Sequence, residues 1–172
     1  MKTSPALCVF VCGSVDRGDD GAAVIAVGRL LARLDRGRLR TIAIERCGQL
    51  DVQDLLDVPA GTPVLIVDAA AGIRAGRLVK RSLDELIDHR RGPAPRSSHA
   101  LPINQLLGIV NVLVAEPLRG YFVGIGGADF SPGSSLSPQV AREMPAFIDA
   151  VGAAIDELAP PAPVAPRLHT AA

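Results

Sequence analysis

The chain has 172 residues, 48% of them hydrophobic, which is enough for one domain with a substantial core. Its 18 Lys and Arg balance 18 Asp and Glu, so it carries no electrostatic footprint for nucleic acid or an anionic membrane. Three cysteines, an odd number and poorly spaced for zinc, point to a reducing compartment rather than a disulfide framework, and no apolar segment is long enough to span a bilayer, so the expected location is the cytoplasm.

Residues 6–12, Ala-Leu-Cys-Val-Phe-Val-Cys, form a continuous apolar run of the kind found in a strand buried on both faces. The polar loop 13–21 follows, and then a helix over 21–34, with Val24, Val27, Leu31 and Leu34 at helical spacing. Strand, loop and helix in that order open an α/β unit. The loop holds three aspartates, Asp16, Asp19 and Asp20. An N-cap accounts for one of them, Asp19; the excess calls for a cation or a chemical task. The loop lacks the Gly-x-Gly-x-x-Gly spacing and a Gly-Lys-Ser/Thr ending, and its acids repel phosphate, so nucleotide binding is rejected.

Further along, strands are expected near 39–45, 63–68, 77–82 and 119–125, and helices near 50–57, 83–90, 102–115 and 138–157. Together these predict a single three-layer α/β/α sandwich on a mixed, mostly parallel five-stranded sheet. The short link Gly72–Gly76 suggests that the third and fourth strands form a hairpin, which would make the sheet mixed. The domain is expected over 1–158, with the Pro/Ala-rich segment 159–172 a disordered tail in which His169 has no role.

Two more residues stand out beside Asp20. Asp68 closes the apolar run Pro63–Val67, and ligand sites of open α/β sheets lie beyond the carboxyl ends of the strands. A turn-forming Asp is the bland alternative. His99 lies at or just before the helix that Pro102 opens; alone it reads as a surface or capping residue, but with two strand-end aspartates it becomes a candidate ligand. Cys8 and Cys12 read as core, and Cys47, in a loop-like setting, as a small buried hydrophobe or a functional thiol. The segment 124–133 reads as a cleft-lining loop or a plain connection.

In order along the chain, these segments resemble the [NiFe] hydrogenase maturation endopeptidases. Gly13-Ser-Val-Asp-Arg-Gly-Asp-Asp-Gly21 is similar to the family's Gly-Asn-x-x-x-x-Asp-Asp/Glu-Gly signature, Val64-Leu-Ile-Val-Asp-Ala69 to its second strand-end motif, and Ser98-His-Ala-Leu-Pro-Ile-Asn-Gln-Leu106 to its histidine segment. Tyr121-Phe-Val-Gly-Ile-Gly126, with Leu136-Ser-Pro138 before a final helix, resembles its last strand and terminal helix.

The resemblance implies a cytoplasmic peptidase that removes a C-terminal extension from a nickel-loaded hydrogenase large-subunit precursor. It places the family's metal contacts on Asp20, Asp68 and His99, with nickel carried by the substrate as a recognition element. Two carboxylates and an imidazole also accept other divalent first-row ions. The residues do not fix the mechanism of cleavage; metal-assisted attack by water, with Asp20 or Asp68 taking the proton, is one coherent hypothesis.

Ser14 stands where the family has Asn, Glu45–Asp51 where it has Gly-Thr-x-Gly, and Ala100 where a polar residue is common. These departures leave open a divergent subfamily, a different precursor or a loss of activity. The alternative reading is a non-catalytic, metal-sensing assembly checkpoint of the same fold. An unrelated metal-dependent hydrolase ranks third.

Overall fold

The computed structural model describes residues 4–88 and 101–160. In chain order it contains β1 (Leu7–Cys12), a 3-10 turn (Gly18–Gly21), α1 (Ala22–Leu31), α2 (Arg36–Thr41), β2 (Ile42–Cys47), α3 (Val52–Leu56), β3 (Val64–Ala70), β4 (Leu78–Ser82), α4 (Leu83–Asp88), α5 (Ile103–Leu113), β5 (Gly120–Gly126) and α6 (Pro138–Leu158). The five strands form one sheet in the order β2-β1-β3-β5-β4, parallel except for β4, which runs antiparallel to β5.

The apolar runs of the sequence are explained by burial on both faces. Along β1, Leu7, Val9 and Val11 point into one core, with α1 and α6, and Cys8, Phe10 and Cys12 into the other, with α3, α4 and α5. The same alternation in β3 sends Leu65, Val67 and Ala69 one way and Val64 and Ile66 the other. Phe147 of α6 anchors the first core and Phe10 and Phe122 the second, all fully buried; each such side chain contributes roughly 1.5–3 kcal/mol. The result is the expected three-layer sandwich on a mixed five-stranded sheet.

The hairpin expected between the third and fourth strands does not form. β5 lies between β3 and β4, pairing with β3 from Val64↔Gly120 to Ala70↔Gly126. The reason is burial. Phe122, Val123 and Ile125 of β5 are apolar on both faces and need a neighbour on each side, whereas Leu78-Val-Lys-Arg-Ser82 is half polar and suits an edge. At that edge Lys80 lies 4.2 Å over the Tyr121 ring and pairs with Glu157 at 2.7 Å.

The link from β3 to β4 therefore crosses the end of β5, a span of about 10 Å that seven residues cover easily. Gly126 makes the crossing possible, because a Cβ there would lie 2.2 Å from the Arg74 carbonyl oxygen.

Several boundaries also shift, among them the first helix, which ends at Leu31. The strand expected at 39–45 occupies 42–47, because Arg36–Thr41 forms a short helix capped by Asp35, which accepts from Arg38 N at 3.0 Å. β3 runs two residues past Asp68. The expected tail falls almost wholly outside the described residues.

Candidate active site

β2 and β3 flank β1 on opposite sides. The chain leaves β1 toward one side of the sheet and returns for β3 on the other, so the topological switch point lies between β1 and β3. In open α/β sheets the crevice at that point, at the carboxyl ends of the strands, is where ligands bind. Asp20 follows β1 and Asp68 lies near the end of β3, and the 3-10 turn that carries Asp20 packs against β3. The fold thus brings two of the three expected residues to one edge; His99 lies outside the described residues.

Both carboxylates are almost fully buried, Asp20 at 3% exposure and Asp68 at 1%. Asp20 Oδ2 accepts the Ser14 N–H at 2.9 Å, and Asp68 Oδ1 accepts the Ala69 N–H at 2.7 Å. Asp68 is a strand residue opposite Gly124 of β5, not the turn residue of the bland reading. Gly13, at φ +96°, fits directly beneath Asp20: a Cβ on it would lie 2.0 Å from the Asp20 carbonyl oxygen. Ser14 holds the loop through its main-chain N–H, which donates to Asp20, and its side-chain Oγ, which accepts from Asp16 N at 3.4 Å.

Asp19 takes a structural role that was not legible in the sequence. Fully buried, it accepts the N–H groups of Ala128 at 2.7 Å, Asp129 at 3.0 Å and Ser137 at 2.7 Å. Its own N–H donates to the Asp129 carbonyl at 2.8 Å, and Gly18 and Gly133 add links between the two loops. Asp19 is therefore no N-cap of α1; it clamps the loop 127–137 onto the turn that carries Asp20. Of the three loop aspartates, Asp16 is exposed, Asp19 binds the main chain of the loop 127–137, and Asp20 is buried within its own loop with the Ser14 N–H as a partner. The signal for Asp19 was its place in a run of acids, which does not distinguish a clamp from a ligand.

Cys47 ends β2 opposite Cys12 at the end of β1, with the two sulfurs 3.5 Å apart. Its hydrogen bond with Cys47, then burial and the nearby Asp68 carboxylate, push the Cys12 thiol well above its ordinary range. Residues 48–51 lead into α3, whose start is a capping box between Asp51 and Asp54. An apolar groove of about 410 Å³ lies beside this segment, lined by Gln49, Leu50, Val52, Leu101 and Leu106 among others, but by neither Asp20 nor Asp68.

Among the described residues, no three His, Cys, Asp or Glu side chains are grouped to hold a metal ion. Asp20 and Asp68 are hard oxygen donors that fit a divalent ion bringing further ligands of its own. No helix among the described residues is long and apolar enough to cross a membrane.

No family model and no curated protein matches the sequence. Solved structures do match. The hydrogenase maturating endopeptidase HybD from E. coli superposes with a TM-score of 0.69 at 21% identity, over 88% of this chain and 92% of that one. The [NiFe] hydrogenase maturation protease HybD from Thermococcus kodakarensis gives 0.62 at 20% identity, over 89% and 98%. HycI, a [NiFe] hydrogenase maturation protease from Thermococcus kodakarensis KOD1, gives 0.60 at 18%, over 87% and 92%. The chain thus has the fold of the [NiFe] hydrogenase maturation proteases along nearly its whole length, in agreement with the motif resemblance.

Proposed function

We propose that this protein is an endopeptidase that removes a C-terminal extension from a [NiFe] hydrogenase large-subunit precursor, with nickel in the precursor as the recognition element. The observation that carries the reading is the placement of Asp20 and Asp68 on two elements that pack together at the carboxyl end of the sheet, in a fold shared with proteins named as hydrogenase maturation proteases. Two buried carboxylates with main-chain partners are pre-oriented, and they suit a metal that arrives with its other ligands in the substrate. His99, which belongs to the resembling motif, would complete a three-residue contact and leave the remaining positions to the precursor.

In this reading the substrate's nickel would supply Lewis-acid polarisation of the water or the scissile carbonyl, and Asp20 or Asp68 would accept the proton as the water attacks. The amide C–N bond would then break as that carboxyl group returns the proton to the departing nitrogen, and the extension would leave as a free amine. The reading places the protein in the cytoplasm, with its precursor. The test is to mix the purified protein with nickel-loaded precursor from the same organism and to follow the precursor's C-terminal mass. A discrete loss that needs nickel and disappears in Asp20→Asn is the expected result. An unchanged mass, in a precursor shown to be loaded and bound, would overturn it in favour of a checkpoint that binds without cutting.

A further inference from the structure

We propose that Cys12 and Cys47 form a redox-modification site, a thiol pair that a hydroperoxide converts to an intramolecular disulfide. The two residues are register partners at the last positions of adjacent parallel strands. Neighbouring strands lie about 4.8 Å apart, inside the range of about 4.4–6.8 Å that disulfides span between α-carbons. The sulfurs are already 3.5 Å apart, in mutual contact, and bond formation at about 2.05 Å asks for a movement of about 1.5 Å. Cys8, the third cysteine, faces Ala43 and Val64 across the sheet and has no thiol opposite it.

Burial sets the order of events. Cys12 is fully buried, whereas Cys47 is partly exposed at the end of an edge strand. Access favours Cys47 as the residue that meets the oxidant. Its sulfur attacks the distal oxygen of the hydroperoxide, the O–O bond breaks, and an alcohol or water leaves with the thiol proton. The sulfenic acid at Cys47 is then attacked by the Cys12 sulfur. The S–O bond breaks, water leaves with the Cys12 proton, and the S–S bond forms. Two electrons pass from the two thiols to the peroxide.

The bond would close where the candidate site begins. Gly13, the next residue, donates to the Gly48 carbonyl at 3.2 Å and packs against Asp20. A bridge from Cys12 to Cys47 therefore fastens the strand ends on which the Asp20 loop rests.

The test needs no assay of peptidase activity. The reduced full-length protein is treated with hydrogen peroxide, then examined by intact mass and by non-reducing peptide mapping. The expected product is a monomer lighter by two hydrogens, with a Cys12–Cys47 cross-linked peptide that dithiothreitol reverses. Cys8→Ala should close the bridge as the parent does, and Cys47→Ser should not. Accumulation of sulfinic acid at Cys47 with Cys12 still a free thiol would overturn the proposal. So would Cys47-linked dimers, or a folded protein whose thiols do not react.

Discussion

Asp19 Oδ1 accepts the main-chain N–H of Ser137 at 2.7 Å, joining the turn after the first strand to the N-cap of the last helix. The same carboxylate holds Ala128 and Asp129. Removing it in Asp19→Ala would leave three main-chain donors to find other partners, and the expected loss is about 3 kcal/mol or more. Asp19→Asn keeps an acceptor and should lose less. Urea unfolding measures both; a loss below about 1 kcal/mol in the alanine variant would show that the clamp contributes little.

Asp20 and Asp68 should behave differently from Asp19. Asp20→Asn and Asp68→Asn each retain an oxygen to accept the Ser14 and Ala69 N–H groups, so both variants are expected to fold. If either carboxylate takes a proton or meets the substrate's metal, processing should fall by about 100-fold or more. Single-turnover cleavage of loaded precursor, run beside circular dichroism, separates lost chemistry from lost structure. Wild-type cleavage in both variants would remove these residues from the mechanism.

Gly13 tests how tightly the loop is packed. In Gly13→Ala the new methyl meets the Asp20 carbonyl and the backbone stays at φ +96°, so a destabilisation of about 1–3 kcal/mol is expected, together with slower processing. Gly28 in α1 is the control, since a Cβ added there would have nothing within 4 Å; Gly28→Ala should stabilise by about 0.5–1 kcal/mol. Thermal melts of the two variants should move in opposite directions.

The raised Cys12 thiol has a pH signature. Its hydrogen bond with Cys47 and its burial favour the protonated form in the folded state, whereas in the unfolded chain a cysteine ionises near pH 8.5. Below that pH both states hold the proton and the stabilisation is complete. Above it the unfolded state binds fewer protons, so stability falls as pH rises toward the folded value. Unfolding free energies from pH 7 to pH 10 should therefore decline less steeply in Cys12→Ala than in the parent, and equal slopes would contradict the assignment.

Several elements were legible in the residues because the information is local. The runs at 7–12 and 64–67 are apolar at every position, which only a strand covered on both faces tolerates. The spacing of Val140, Met144, Phe147, Ile148 and Val151 announces α6 in the same way. Asp68 could be picked out because a carboxylate at the end of such a run breaks its pattern, whereas Asp20 was singled out from the three loop aspartates by the motif resemblance.

Other features depend on contacts between distant segments. A link of hairpin length joins β3 to β4, yet β5, about fifty residues further on, inserts between them. The separation of Asp19 from Asp20 into clamp and site residue depends on where residues 128, 129 and 137 come to rest. The pairing of Cys12 with Cys47 depends on the register of β1 against β2.

By itself, the sequence determined which segments are buried strands and helices, and which residue types could carry chemistry at their ends. That follows because period and polarity are properties of neighbouring residues. The tertiary structure alone decided the strand order, and with it the switch point, the partner of each aspartate and the meeting of two thiols. Sheet order is a competition among strands for buried positions, and its outcome depends on the apolar surface of every strand at once.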